Sequence, residues 1–233
     1  MFWRHPVLVP VLTVLGVIAL VLTGQLEARG MYVAVLTGGA AFAVVEIGAR
    51  RSRRDRLGPA DYVTALRLAL VAMVAGLGAQ ALFAGEQLGT VALVLTGVAL
   101  VLDGVDGAVA RATGSASAFG ARFDMESDAF CLLVLSILAV PVVGWWVLAI
   151  GLMRYAWVAA GWFLPSLRGE LPPSRLRRPI AAIQGVALLI ILTEVVPGGG
   201  SVLVGAVALA LLVLSFGRDA VRLVRAERSS ASR

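Results

Sequence analysis

The sequence predicts an all-α integral membrane protein of eight spans with both termini on the cytoplasmic side. Three observations lead there. Of 233 residues, 60% are hydrophobic and only 15% are charged, against roughly 25% charged in a soluble domain. The hydrophobic residues fall in runs close to the ~20 residues that cross a bilayer as a helix. The arginines gather in every second loop, as the positive-inside rule requires.

The first apolar run covers residues 7–24, after Arg4 and His5. It is long for a signal-peptide core, and the QLEARG that follows offers no small-x-small cleavage site. A retained span is expected, with His5 an interfacial residue. A second span covers 31–49. Arg50 to Gly58, RRSRRDRLG, is the densest charge cluster and marks a cytoplasmic loop that can also meet anionic headgroups. Six more spans are expected at 63–84, 89–110, 124–142, 145–165, 179–196 and 201–217.

From a cytoplasmic start, the outer loops are QLEARG, AGEQLG, the Pro141–Gly144 turn and PGGGS, with Arg29 their one basic residue. The inner loops carry Arg111, Arg122, Arg168, Arg175, Arg177 and Arg178 as well as the Arg50 cluster. Trp145 and Trp146 fall at an outer boundary, the place of an aromatic belt. The tail from Arg218 reads as a basic amphipathic helix on the inner leaflet with a disordered end. No lysine occurs, which points to a GC-rich genome. The single Cys131 excludes an internal disulfide and a multi-cysteine metal site. No nucleic-acid partner is expected.

Residues 103–128 hold the chemistry. Asp103 and Asp106 are three residues apart, Asp124 and Asp128 four apart, so each pair shares a helix face. The predicted topology puts the first pair at the cytoplasmic end of the fourth span and the second at the cytoplasmic start of the fifth. All four reach one depth, joined by a Gly/Ala/Ser-rich turn, Arg111 to Phe123. Carboxylates in an apolar setting cost several kcal/mol each unless compensated. Arg111 and Arg122 are possible partners. Oxygen-only ligands favour Mg²⁺, Mn²⁺ or Ca²⁺ over zinc. Four of them suffice for a two-metal site acting on a phosphoryl group. Gly104, Gly107, Ala108, Ala110 and Gly120 let a bulky ligand or a helix come close. Structural ion pairs are the plain alternative. A cation or proton pathway is a second class, although the motif is not repeated along the chain. An Asp-rich prenyltransferase would need a second acidic motif on a distant helix, and none is present.

Asp103-x-x-Asp106-Gly107-x-x-Ala110-Arg111, eight residues, then Gly120-x-x-x-Asp124-x-x-x-Asp128 resembles without a gap the signature of the CDP-alcohol phosphotransferases. Pro59-Ala60-Asp61-Tyr62-Val63-Thr64-Ala65-Leu66-Arg67 is similar to that family's Pro-Asn-x-x-Thr-x-x-Arg opening, with Asp61 where Asn is commoner. The resemblance spans about 58–217. It implies a six-helix catalytic core there, preceded by an extra two-helix hairpin and Arg-rich loop (1–57) and followed by a basic tail (218–233).

The resemblance further implies transfer of a substituted phosphate from a CDP-linked donor, usually CDP-diacylglycerol, to a polar alcohol, with release of CMP. Asp103, Asp106 and Asp124, with Asp128 contributing, would hold two divalent cations, Mg²⁺ or Mn²⁺. Asp128 would be the base that deprotonates the acceptor. Gly107, Ala110, Arg111 and Gly120 would form or support the nucleotide site, with Thr64 and Arg67 near the donor's phosphates. The expected setting is the lipid bilayer of a bacterial cytoplasmic membrane, active site facing the cytoplasm, as a homodimer.

Other charges have readings of their own. Arg67 lies about one turn inside its span, where snorkelling alone would place it; its motif favours a functional role. Arg154 is deeper. A central arginine costs at least ~2.5 kcal/mol by insertion scales, so it is expected to face the protein interior. With Arg175, Arg177 and Arg178 it is a candidate acceptor-binding residue, the bland reading of that trio being membrane anchoring. Glu126, two residues from Asp124 and from Asp128, is expected to point away from their face. Phosphatidylglycerol-phosphate synthases usually have Leu before the third aspartate and Lys after the fourth; here these are Phe123 and Ala129. The acceptor is left open.

Overall fold

The computed structural model describes residues 7–51, 58–114, 117–164, 177–197 and 199–231; the side chains of 48–51, 118, 177–178 and 224–231 lie outside that description. His5, Arg168, Arg175 and most of the Arg50–Gly58 cluster therefore fall outside it. The described chain is all-helical, with no strand: α1 Leu8–Leu22, α2 Ala28–Arg51, α3 Pro59–Ala84, α4 Thr90–Thr113, α5 Ala118–Val143, α6 Leu148–Phe163, α7 Arg177–Thr193 and α8 Gly200–Ala231. A single 3₁₀ turn, Trp145–Val147, precedes α6.

Among the described residues, six stretches are long and apolar enough to cross a membrane: Ala28–Ile47, Pro59–Ala84, Thr90–Thr113, Phe119–Val143, Trp145–Phe163 and Gly200–Leu223. Leu8–Leu22 and Pro179–Thr193 are apolar but shorter. Large apolar side chains such as Leu36, Phe83, Val101 and Leu214 are two-thirds or more exposed. In water such a surface would aggregate; hydrocarbon solvates it. The protein is a multi-pass membrane protein.

Several helix ends differ from the sequence reading. Helix α5 begins at Ala118, not near 124, so Asp124 and Asp128 stand in its second and third turns. Helix α4 runs on to Thr113, so Arg111 is helical and not part of a turn. Gly114 stops α4 with a left-handed φ of 63°, and Gly85 stops α3 with 68°, a conformation that glycine adopts without a Cβ penalty. Pro141 lies inside α5, not in the turn; the turn falls instead at Gly144, φ 95°. The tail continues α8 as helix to Ala231, where a disordered end was expected.

The chain forms two compact units, Met1–Val134 and Leu135–Arg233. In the first, α3 is the central helix, packed by α1, α2 and α4. From Leu68 to Ala75 every residue of α3 is buried. Small residues make these crossings close. A Cβ on Gly76 would lie 2.6 Å from the Gly30 carbonyl oxygen and 2.8 Å from the Ala34 Cβ; one on Gly38 would meet Thr13 at 2.7 Å. Gly16 of α1 abuts Met73 of α3. The Gln80 side-chain oxygen accepts the Glu27 N–H (2.8 Å), tying the start of α2 to α3. At the other end of α3, Val9, Ala41 and Val45 of the hairpin form one core with Ala65, Leu68, Phe119 and Phe123. The hairpin thus packs directly on the helices that carry the site.

The second unit is held by α8 against α6 and α7. Buried Gln184 donates to the Ala208 carbonyl (3.0 Å), a polar tie between two apolar helices. Trp157 and Phe216 meet edge-to-face at 5.3 Å.

The α2–α3 crossing makes a stability prediction. Gly76→Val must push backbone from backbone, and overpacking of that kind costs about 1–3 kcal/mol. Gly39, whose added Cβ would meet nothing within 4 Å, serves as the comparison. Thermal unfolding in detergent is expected to show a clear drop for Gly76→Val and none for Gly39→Ala.

Candidate active site

The site is built on three helices of the first unit. Helix α3 starts at Pro59 after Gly58, whose N–H donates to the Asp61 carboxylate (2.7 Å). This N-terminal cap fixes the register of α3 and so the positions of Thr64 and Arg67. Both are on the buried face: Thr64 is 3% exposed and Arg67 1%.

Arg67 is the centre of the site. Its Nη1 pairs with Asp103 and lies 3.5 Å from Asp106 Oδ2. Its Nη2 reaches Asp124 Oδ1 at 2.7 Å and Asp128 Oδ1 at 2.8 Å. The same nitrogen donates to the Asp124 carbonyl at 3.4 Å, and Nε donates to the Ser127 hydroxyl at 3.3 Å. One guanidinium therefore gathers both aspartate pairs, one from α4 and one from α5. Thr64 Oγ1 stands 3.3 Å from Asp106 Oδ2 and 3.3 Å from the Ala60 carbonyl, sharing one proton between them.

The four carboxylates differ in exposure. Asp106 is 3% exposed, while Asp103, Asp124 and Asp128 are 34%, 40% and 31% exposed. Thr64 and Arg67 of α3 cover Asp106, while the other three carboxylates stay about one-third accessible. Asp103, Asp106 and Asp124 each offer a carboxylate oxygen within 4.8 Å of the others. Asp128 stands beside this trio, joined to it by Arg67.

The donor set fits hard divalent cations. It is oxygen-only and compact, and four carboxylates against one guanidinium leave three formal negative charges uncompensated. Arg111 and Arg122, offered by the sequence as partners, make no ion pair with the aspartates among the described residues; both are exposed. Arg111 instead lies over Gly107, its Nη1 3.4 Å from where a Cβ would stand. Gly104 faces open space, with nothing within 4 Å of an added Cβ. Gly120 has a packing reason of its own: a Cβ there would lie 2.9 Å from Asp61 Oδ1 and disturb the cap of α3.

Two functional relations escaped the sequence. Ser127, 1% exposed, holds Arg67 Nε; its only sequence signal is its place three residues after Asp124, on the same helix face. Arg67 was expected near phosphates, and its bonds to all four aspartates were not foreseen. Of the acceptor candidates, Arg154 is half-buried on α6 in the second unit. Arg175 and the Arg178 side chain lie outside the described residues.

Fold and site together define a multi-pass helical membrane protein with a cation-competent carboxylate cluster on two neighbouring helices. The chain belongs to the CDP-alcohol phosphatidyltransferase family, whose model matches residues 57–216. No curated protein and no solved structure shows a significant match. The family transfers a phosphatidyl group from a CDP-linked donor and depends on divalent metal.

Ser127→Ala leaves the buried guanidinium short of one acceptor. An unsatisfied buried donor costs about 1–3 kcal/mol. Thermal unfolding in detergent is expected to fall accordingly, with membrane insertion unchanged by fractionation.

Proposed function

We propose that the protein transfers a phosphatidyl group from CDP-diacylglycerol to a polar alcohol on the cytoplasmic side of the membrane and releases CMP. The observation that carries this reading is the convergence of Asp103, Asp106, Asp124 and Asp128 around Arg67, in the order the family signature gives. The arginine distribution supports the orientation, with eight crossings and both ends inside.

Asp103, Asp106 and Asp124 would hold two divalent cations, Mg²⁺ or Mn²⁺, with Asp128 contributing. Cations held there would supply neutralising charge for the donor's diphosphate and for the leaving oxygen. Asp128 has one oxygen on Arg67, leaving the second to accept a proton. That oxygen takes the proton of the acceptor hydroxyl. The alkoxide oxygen forms a bond to the phosphorus that bears diacylglycerol, the bond from that phosphorus to the CMP oxygen breaks, and the electron pair leaves with CMP. Gly104 and Gly107 keep the α4 face low beside the aspartates, and Arg111 bounds it. This is the place for the cytidine nucleotide, with Ala110 and Gly120 lining it. The lipid tails remain in the bilayer while CMP and the alcohol exchange with the cytoplasm. Arg154, with Arg175 and Arg178, is the first set to test for acceptor binding. The N-terminal hairpin and a homodimeric assembly belong to the same proposal as scaffold.

The test is CMP release from CDP-diacylglycerol with Mg²⁺ or Mn²⁺, against glycerol 3-phosphate, inositol phosphate, serine and simple polyols. One acceptor is expected to support turnover, and chelation to stop it. Asp128→Asn is expected to lower turnover by the ~10²- to 10⁴-fold that a general base supplies, and by more if its share in cation binding is lost as well. Asp124→Asn is expected to abolish turnover. Normal turnover by either variant would refute the assignment.

A further inference from the structure

We propose that Arg67 is an exchangeable counter-ion of the cation site: it holds the four carboxylates together until divalent cations take them over, and its guanidinium is then released toward the anionic donor. This deepens the proposed function and rests on it. The argument begins with burial. Arg67 is 1% exposed and its side chain spends every described bond inside the cluster, on Asp103, Asp106, Asp124, Asp128 and Ser127. Cations held by Asp103, Asp106 and Asp124 would draw on three of the same carboxylates. Guanidinium and cation are both positive, so each weakens the other's hold, and the coupling is reciprocal.

The charge balance sets the direction. Arg67 alone leaves the cluster with an excess of three negative charges, so cations still enter. With two divalent ions present the carboxylates no longer need Arg67. A planar five-donor fork detached from carboxylates is suited to phosphate oxygens in paired bonds. Cation loading would thus prepare a positive group for the diphosphate at the moment the site becomes able to use it. Lysine would not serve equally, since a point charge cannot span four carboxylates from two helices.

The test uses the full-length protein in detergent and Mn²⁺ alone as probe. Mn²⁺ affinity is read by electron paramagnetic resonance, and thermal unfolding is followed with chelator and with Mn²⁺. Arg67→Gln is expected to bind Mn²⁺ more tightly than wild type, by roughly 5- to 150-fold, the usual range of coupling between sites. It is expected to lose stability in chelator and to regain most of it with Mn²⁺. Arg67→Lys is expected to show the same pattern at smaller size, and it carries the test if the glutamine variant does not fold. Mn²⁺ affinity equal to or below wild type in the folded variants would overturn the exchange while leaving the metal site standing. Absence of Mn²⁺ binding by wild type would overturn the metal site, and the exchange with it.

Discussion

One buried guanidinium among four carboxylates is the constraint on which the site depends. Arg67 sits deep enough to be nearly inaccessible, and its bonds reach two other helices. Such a group is tolerable only if its partners are in place; removing one side of a buried pair costs about 3–5 kcal/mol. The requirement runs both ways. Asp103 and Asp106 on α4, and Asp124 and Asp128 on α5, would repel one another without a positive centre. The carboxylate cluster is thus assembled from the same interaction that orders three helices.

The rest of the first unit positions that centre. The Asp61 cap sets where α3 begins, and Gly120 lets α5 approach the cap. Behind α3, the hairpin packs through Gly30 against Gly76 and closes on itself through Gly38 against Thr13, at distances that a larger residue would not allow. Its residues Val9, Ala41 and Val45 share a core with Phe119 and Phe123, and Phe123 immediately precedes Asp124. The hairpin lies ahead of the stretch matched to the family. Physically it is continuous with that stretch, so nothing about its packing marks it as an appendage.

The sequence made the local features legible. Helical spacing of the aspartates, the small residues around them and the apolar runs are all short-range patterns, and each of the six long apolar helices overlaps a run read as a span, with most ends displaced by a few residues. What stayed hidden was long-range or steric. Arg67 and Asp124 are separated by 57 positions, and no spacing rule pairs an arginine on one helix with an aspartate on another. Arg111 and Arg122 looked like partners because they are near in sequence; their places on the helices turn them to the surface. Ser127 carries no periodic signal that separates a ligand of Arg67 from an ordinary buried serine. Helix ends moved where a glycine could adopt positive φ: Gly114 let α4 absorb Arg111, and Gly144 took the turn that Pro141 had suggested. The acceptor is hidden for a different reason. The signature marks the family, and no pattern along the chain names an alcohol.

Anomalous diffraction from Mn²⁺-soaked crystals of the protein with CDP-diacylglycerol tests the central claim most directly. The account predicts anomalous peaks bounded by Asp103, Asp106 and Asp124, next to Asp128, with the donor's diphosphate against them. No peak there, or a diphosphate bound away from the four aspartates, would contradict it.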